Sequence, residues 1–167
     1  LPPPRRAAVA VVALLVAGNA LVATGPTAGA APGPVSGVAA APEAGTVVTG
    51  ALTWGGRTRT YRIFVPSTYE SGTPAPLVLG LHGGFGSGKQ FERDNGLNRA
   101  FTQRGMLGVF PDGVHGPARG IRTWNAGNCC AYSMNADVDD VGFIDALVKR
   151  LRRQDTVDPA RIYAIGH

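Results

Sequence analysis

A glycine-rich turn after a short apolar run is the first feature of this sequence that could do chemistry. Residues 77–81 read LVLGL, and residues 82–90 continue as HGGFGSGKQ. This pattern predicts a buried strand, a turn whose backbone can approach a ligand closely, and then a helical segment. Two unrelated chemistries use that layout. In one, backbone amides cradle nucleotide phosphates; in the other, they stabilise the oxyanion formed when an ester is attacked.

The phosphate-binding alternative fits only part of this stretch. Gly83, Gly88 and Lys89 have the spacing of a P-loop, but the next position, which needs Ser or Thr to hold magnesium, is Gln90. A later apolar run that ends in an acid, as in nucleotide-binding proteins, is interrupted by Pro111 just before that acid. The residues therefore do not favour a nucleotide site.

The oxyanion alternative fits His82-Gly83-Gly84 better. In α/β-hydrolases, the oxyanion is held by an N–H from the loop after this strand and by the N–H that follows the nucleophile. That nucleophile lies in a G-x-S-x-G turn, and residues 161–167 read RIYAIGH, an apolar strand followed by the motif's first two positions. We expect the N–H groups of Gly83 and Gly84 to line an oxyanion hole. His82 is expected to orient their loop through side-chain hydrogen bonds.

Strand and helix signals alternate along the rest of the chain. The predicted elements are strands at 46–52, 57–65, 77–81, 106–110 and 161–165, and helices at 97–103 and from 139 or 140 to about 151. Gly55-Gly56 marks a hairpin between the first two strands, and a long loop is expected from Val114 to about Val138. The expected fold class is α/β, with a mostly parallel, doubly wound sheet that has an N-terminal antiparallel hairpin at its edge and stops at the strand before the nucleophile.

The ordered set of motifs resembles the secreted α/β-hydrolase esterases that include polyhydroxybutyrate depolymerases and feruloyl and acetylxylan esterases. Each matching stretch is weak by itself, whereas their order between residues 46 and 167 is specific. The stretches are RTYRIFVP at 59–66, LHGG at 81–84, FPDG at 110–113, WN at 124–125, CC at 129–130, DDVGFI at 139–144, DPARIY at 158–163 and GH at 166–167.

The resemblance implies an esterase whose catalytic triad lies outside these residues. In α/β-hydrolases the triad runs in the order Ser, Asp or Glu, then His, so the serine would follow His167 and the acid and the base would come later. None of the three histidines is then expected to be the catalytic base, and the chain by itself should be inactive. The implied substrates are polyhydroxybutyrate-type polyesters or feruloyl and acetyl esters on plant polysaccharide. No cofactor and no metal is expected.

Three other features leave alternatives open. Trp124 could line a substrate groove or pack beneath the long loop. Cys129 and Cys130 could bond to each other, bond to cysteines elsewhere in a longer chain, or remain free thiols. The acidic run at 135–140 lacks the Gly and Glu that a calcium loop needs at its sixth and twelfth positions. One Asp of this run is therefore expected to cap the following helix, and another to fix the long loop.

The first thirty residues predict a secretory signal peptide. Arg5 and Arg6 precede an apolar run, and small residues at 28–30 permit cleavage near Ala30. Residues 31–45 predict a disordered Pro/Ala/Gly-rich linker, and residues 46–167 the N-terminal part of a catalytic domain. The expected location is extracellular, with no stable membrane association after cleavage.

The charge of the chain does not favour nucleic acid as a partner. The net charge is +5, and without Arg5 and Arg6 fourteen Lys and Arg face eleven Asp and Glu, which leaves +3. The expected partner is therefore a small or polymeric ester substrate. The alternative is a non-catalytic extracellular module that binds carbohydrate or polymer. Such a module would need a surface row of aromatic residues, and Trp54 and Trp124 are the only tryptophans.

Overall fold

The computed structural model describes residues 45–117, 121–154 and 156–167. The predicted signal peptide and residues 31–44 of the predicted linker lie outside these ranges, whereas Gly45, which was expected to end the linker, begins the first strand. Within the described ranges, no helix is long and apolar enough to cross a membrane.

Every predicted strand and both predicted helices are present, with some changes at their ends. The strands are β1 (Gly45–Trp54), β2 (Arg57–Pro66), β3 (Ala75–Leu81), β4 (Leu107–Pro111), β5 (Val114–His115), β6 (Arg122–Thr123) and β7 (Val157–Gly166). The helices are α1 (Gly88–Asp94), α2 (Leu97–Arg104), α3 (Ala131–Asn135) and α4 (Asp140–Arg152). The largest change is in β7, which begins four residues before the predicted strand.

The main sheet has the order β1-β2-β4-β3-β7. β1 and β2 form an antiparallel hairpin, and β2 also pairs antiparallel with β4, whereas β3 pairs parallel with both β4 and β7. Gly55 and Gly56 make the hairpin turn with φ of 55° and 70°, a left-handed conformation that costs glycine little. The predicted α/β sheet with an antiparallel hairpin at its edge is thus confirmed. Among the described residues, β7 has a neighbouring strand on one side alone.

Helices cover both faces of this sheet. Alternate residues of β3 face opposite layers, because successive side chains of a strand point to opposite faces. Leu77 and Leu79 pack in the layer with α4, and Val78 packs in the layer with α1 and α2. The first layer is built around Tyr61, Leu77, Leu79, Val109, Phe143, Leu147 and Leu151, and the second around Phe64, Val78, Phe91, Phe101 and Phe110. A strand buried on both faces explains the continuous apolar run seen in the sequence.

The long connection between β4 and α4 contains structure that the sequence pattern did not predict. β5 and β6 pair antiparallel, with Val114 opposite Thr123 and His115 opposite Arg122, and α3 follows them. Two-residue strands and a five-residue helix are too short to produce a hydrophobic period, so only a loop was predicted there. This connection returns the chain to the end of β3 at which the glycine-rich turn lies.

Candidate active site

The glycine-rich turn lies where β3 and β7 end side by side. Leu81 pairs with Gly166, and the N–H of His167 donates to the carbonyl of Leu81 at 3.4 Å. A Cβ atom placed on Gly83 would lie 3.3 Å from the Cβ of His167. The carboxyl ends of neighbouring parallel strands form the crevice in which α/β proteins usually bind ligands. The tertiary structure therefore brings together the two segments that the sequence analysis connected.

His82 is buried at this crevice, with both ring nitrogens hydrogen-bonded. Its side chain is 2% exposed. The N–H of Gly113 donates to Nε2 at 2.9 Å, so Nε2 carries no proton, and Nδ1 lies 2.7 Å from the carbonyl oxygen of Gly83, which requires an N–H at Nδ1. The imidazole is thus neutral and joins the turn after β4 to the turn after β3. This arrangement leaves neither nitrogen free to act as a general base.

The unfolding free energy is expected to decrease when the pH is lowered through 6.5. Burial is the largest effect on the pKa of His82 and lowers it from 6.5; Arg122 also lowers it, while the bond to Gly83 and the charges of Asp112 and Asp140 raise it. Below pH 6.5 the unfolded chain therefore binds a proton that the folded chain does not. The unfolding free energy consequently decreases as the pH is lowered. The decrease ends once the pH is below the pKa of His82 in the fold.

Denaturant unfolding at several pH values and an NMR titration of the His82 ring check this expectation. The titration midpoint in the folded full-length protein should lie below 6.5. A midpoint at or above 6.5 would show that the buried ring is not held neutral.

The N–H groups of Gly83 and Gly84 are available to a ligand. Within the described ranges, neither N–H donates a hydrogen bond to another group of the protein. Both residues line a cavity of about 350 Å³ together with Phe85, Phe91 and His167. A Cβ atom on Gly84 would meet nothing within 4 Å, so this position opens directly into the cavity. Free backbone donors beside an open cavity are what an oxyanion hole requires.

Asp112 organises the helical side of the crevice, a role that the sequence pattern did not predict. Its carboxylate accepts the N–H of Gly88 at 2.9 Å and the hydroxyl of Thr60 at 2.7 Å, and Arg122 lies 3.6 Å away. The first amide of α1 is therefore occupied by an internal carboxylate, which argues against phosphate binding there. Gly88 is required because a Cβ would collide with the backbone of Phe110. The FPDG stretch in which Asp112 lies was the available signal.

Trp124 packs beside the turn and does not line the cavity. Its indole N–H donates to the carbonyl oxygen of His82 at 2.8 Å, and the two rings lie 5.0 Å apart between centroids. Trp54, the other tryptophan, donates its indole N–H to Asp139 at 2.9 Å. Both are partly buried against the core, so neither contributes to the surface aromatic row that a polymer-binding module would need.

The two adjacent aspartates have the separate structural roles that the sequence analysis expected. Asp139 caps α4, because its carboxylate accepts the N–H of Gly142 at 2.8 Å. Asp140 holds the long loop, because its Oδ2 accepts the N–H of Asn125 at 2.7 Å. The remaining oxygen of Asp140 pairs with a residue of β2.

That partner is Arg59, a buried arginine for which no role was predicted. Its Nη2 lies 2.5 Å from Oδ1 of Asp140, and its guanidinium stacks on the Phe143 ring at 4.1 Å. Both side chains of the ion pair are almost fully buried. Arg59 lies on the same inward face of β2 as Tyr61 and Ile63, at every second position of the strand. A charged residue at an inward position of an alternating strand was the sequence signal for a buried ion pair.

The sulfur atoms of Cys129 and Cys130 lie against each other, and the peptide bond between the two residues is cis. The bonding state of these cysteines stays a prediction. In the described ranges, no group of three or more His, Cys, Asp or Glu residues is placed to hold a metal ion.

Comparison with known proteins gives two sequence relatives and many structural ones. The chain is 36% identical over 101 residues to Feruloyl esterase B of Piromyces equi, covering 60% of this chain and 18% of that protein. It is 38% identical over 117 residues to the protein named "Putative esterase NocK" of Nocardia uniformis subsp. tsuyamanensis, covering 66% of this chain and 31% of that protein. The chain thus spans less than a third of either relative.

The structural comparison supports the same architecture. The ferulic acid esterase of Anaeromyces mucronatus superposes with a TM-score of 0.53 at 13% identity, over 73% of this chain and 49% of that one. At this identity the likeness concerns the fold alone. No family model matches the chain. The chain is thus similar in sequence to two proteins named as esterases, and in fold to ferulic acid esterases.

Proposed function

We propose that the full-length protein is a carboxylic ester hydrolase with a serine nucleophile directly after His167. The observation that carries this proposal is the position of β7, which pairs with β3 up to Leu81 and places the next residue, His167, against Gly83. A residue that follows His167 leaves the sheet at this crevice. A serine there would have oxyanion donors within its reach.

The proposed reaction follows the acyl-enzyme route. The serine oxygen attacks the ester carbonyl, a histidine takes the serine proton and returns it to the leaving alcohol, and an acid orients that histidine. The developing negative charge on the carbonyl oxygen is stabilised by backbone N–H groups of Gly83 or Gly84 and by the amide after the serine. Water then attacks the acyl carbonyl while the histidine takes its proton, and the bond to the serine oxygen breaks as that oxygen receives the proton, which releases the acid. His82 is not the base, since both its nitrogens are engaged.

The proposed substrates are feruloyl or acetyl esters on plant polysaccharide, or polyesters of the polyhydroxybutyrate type. The similarity to Feruloyl esterase B supports the first of these classes. Residues 1–30 support secretion, which would bring the enzyme to such extracellular polymers. The reaction needs no cofactor. Residues 1–167 alone, without the triad that would follow them, should be inactive.

The test uses the full-length gene product. Reading the coding sequence past His167 should show Ser-x-Gly, then a later Asp or Glu and a later His. The purified protein should hydrolyse p-nitrophenyl acetate, and its relative rates on methyl ferulate, acetylated xylan and polyhydroxybutyrate film would choose the substrate. Alanine at the position after His167 should abolish turnover without lowering the melting temperature. Any residue other than serine there, or turnover that survives the alanine variant, would overturn the proposal.

A further inference from the structure

The carbonyl oxygens of the two peptides that carry the Gly83 and Gly84 N–H groups are each held by a side chain. Trp124 Nε1 donates to the carbonyl of His82 at 2.8 Å. His82 Nδ1 lies 2.7 Å from the carbonyl of Gly83, which also accepts the N–H of Gly86 at 3.1 Å. In a planar trans peptide the C=O and the N–H point in opposite directions. Holding the oxygen on one side therefore sets the direction of the N–H on the other.

We propose that Trp124 is a positioning residue for the oxyanion hole. Its indole N–H fixes the plane of the His82–Gly83 peptide, so that the Gly83 N–H points away from the indole. This inference rests on the proposed function and deepens it by naming a residue outside the cavity that aligns a catalytic donor. His82 has the equivalent effect on the next peptide, through the carbonyl of Gly83.

Trp124 can align this peptide because it is itself held from two sides. The centroid of its ring lies 5.0 Å from the centroid of the His82 ring. The same ring centroid lies 5.8 Å from the guanidinium carbon of Arg59. Arg59 is fixed by its buried ion pair with Asp140. The same carboxylate accepts the N–H of Asn125, the residue next to Trp124, at 2.7 Å. The position of the indole is thus tied to the core layer that contains α4, and not to the substrate cavity.

A substitution that removes only the indole N–H separates alignment from packing. Trp124→Phe keeps an aromatic ring and leaves the His82 carbonyl without its donor, so the peptide gains freedom to rotate. Trp54→Phe is the matched control, because it also removes an indole N–H that donates one hydrogen bond. The bond from Trp54 goes to Asp139 at 2.9 Å, and the two residues are 85 positions apart in the sequence. Both changes remove the same chemical group from a partly buried tryptophan.

The experiment measures kcat and KM on p-nitrophenyl acetate, together with the melting temperature, for the full-length protein and both variants. Complete loss of one oxyanion donor costs about 10²–10³ in kcat, so misaligning one is expected to lower kcat by about tenfold. For Trp124→Phe, KM should stay within about twofold of wild type, since the indole does not touch substrate. Trp54→Phe should leave kcat and KM within about twofold. If Trp124→Phe and Trp54→Phe have equal kcat values, the positioning role is wrong.

A second replacement keeps the test valid if Trp124→Phe unfolds. Substituting Trp124 with 3-benzothienylalanine replaces the indole N–H by sulfur and preserves the ring system. A fall in kcat with this residue supports alignment, and an unchanged kcat overturns it. A wild-type protein without ester hydrolysis would overturn the proposed function and the inference with it. An active wild type whose Trp124 variants keep the wild-type kcat would overturn the inference alone.

Discussion

Replacing Gly84 with proline should lower kcat for ester hydrolysis by about 10²–10³ in the full-length protein, the loss typical of removing one oxyanion donor. Proline has no backbone N–H, so Gly84→Pro deletes the donor without adding charge. The φ of Gly84 lies outside the left-handed region, and a Cβ there meets nothing within 4 Å. The change should therefore act on catalysis more than on folding. Steady-state kinetics on p-nitrophenyl acetate and a melting curve measure the two effects separately.

Gly84→Ala is the matched control for this prediction. It adds a Cβ at the same position but keeps the N–H, and its loss in kcat should be at least tenfold smaller than that of the proline variant. If both variants lose activity equally, the cavity at Gly84 is sterically restricted and the amide is not the cause. If neither loses activity, Gly84 is not an oxyanion donor and Gly83 remains the one supplied by this turn.

Replacing Asp140 with alanine should lower the unfolding free energy by about 3–5 kcal/mol, the usual cost of removing one partner from a buried ion pair. The variant leaves the Arg59 guanidinium buried without its carboxylate, and Nε of Arg59 already has no hydrogen-bond partner in the described structure. It also frees the N–H of Asn125, which loosens the loop that contains Trp124. Guanidinium denaturation of the full-length protein measures the loss, and kcat should fall with it.

Two further variants separate the buried pair from a general effect of charge. Asp145→Ala removes an ion pair with Lys149 whose side chains are 59% and 60% exposed, and it should change stability by less than about 1 kcal/mol. Replacing both members of the buried pair, as Arg59→Met with Asp140→Leu, should recover much of the stability lost by Asp140→Ala, because no uncompensated charge remains. Equal losses from Asp140→Ala and Asp145→Ala would contradict this account.

The sequence predicted the parts of the site that depend on local pattern. The apolar run before His82 and the glycines after it indicated a strand followed by a turn with free amides, and the structure has both. The strand predicted at 161–165 was expected to belong to the parallel part of the sheet, and it pairs parallel with β3. The helix cap at Asp139 was predictable because capping is decided within one turn.

The side-chain contacts that orient the glycine-rich turn after β3 were not predictable from local pattern. His82 bonds to Gly113 across 31 residues, Trp124 bonds to His82 across 42, and Arg59 pairs with Asp140 across 81. The sequence shows that these residue types are present, but not that the long connection brings them to one edge of the sheet. Trp124 illustrates this: groove lining and packing were equally compatible with its sequence context.

The amino-acid sequence by itself determined the order along the chain of the five longer strands, the glycine-rich turn and the capped helix. Each of these follows from apolar periodicity or backbone preference within about ten residues. Three features were decided only by the tertiary structure. They are the neutral tautomer of His82, the hydrogen bond that Asp112 accepts from the first amide of α1, and the hydrogen bond that Trp124 donates to the His82 carbonyl. These depend on side chains far apart in the chain, whose meeting is set by strand order and by the burial of charged and polar groups that must find partners.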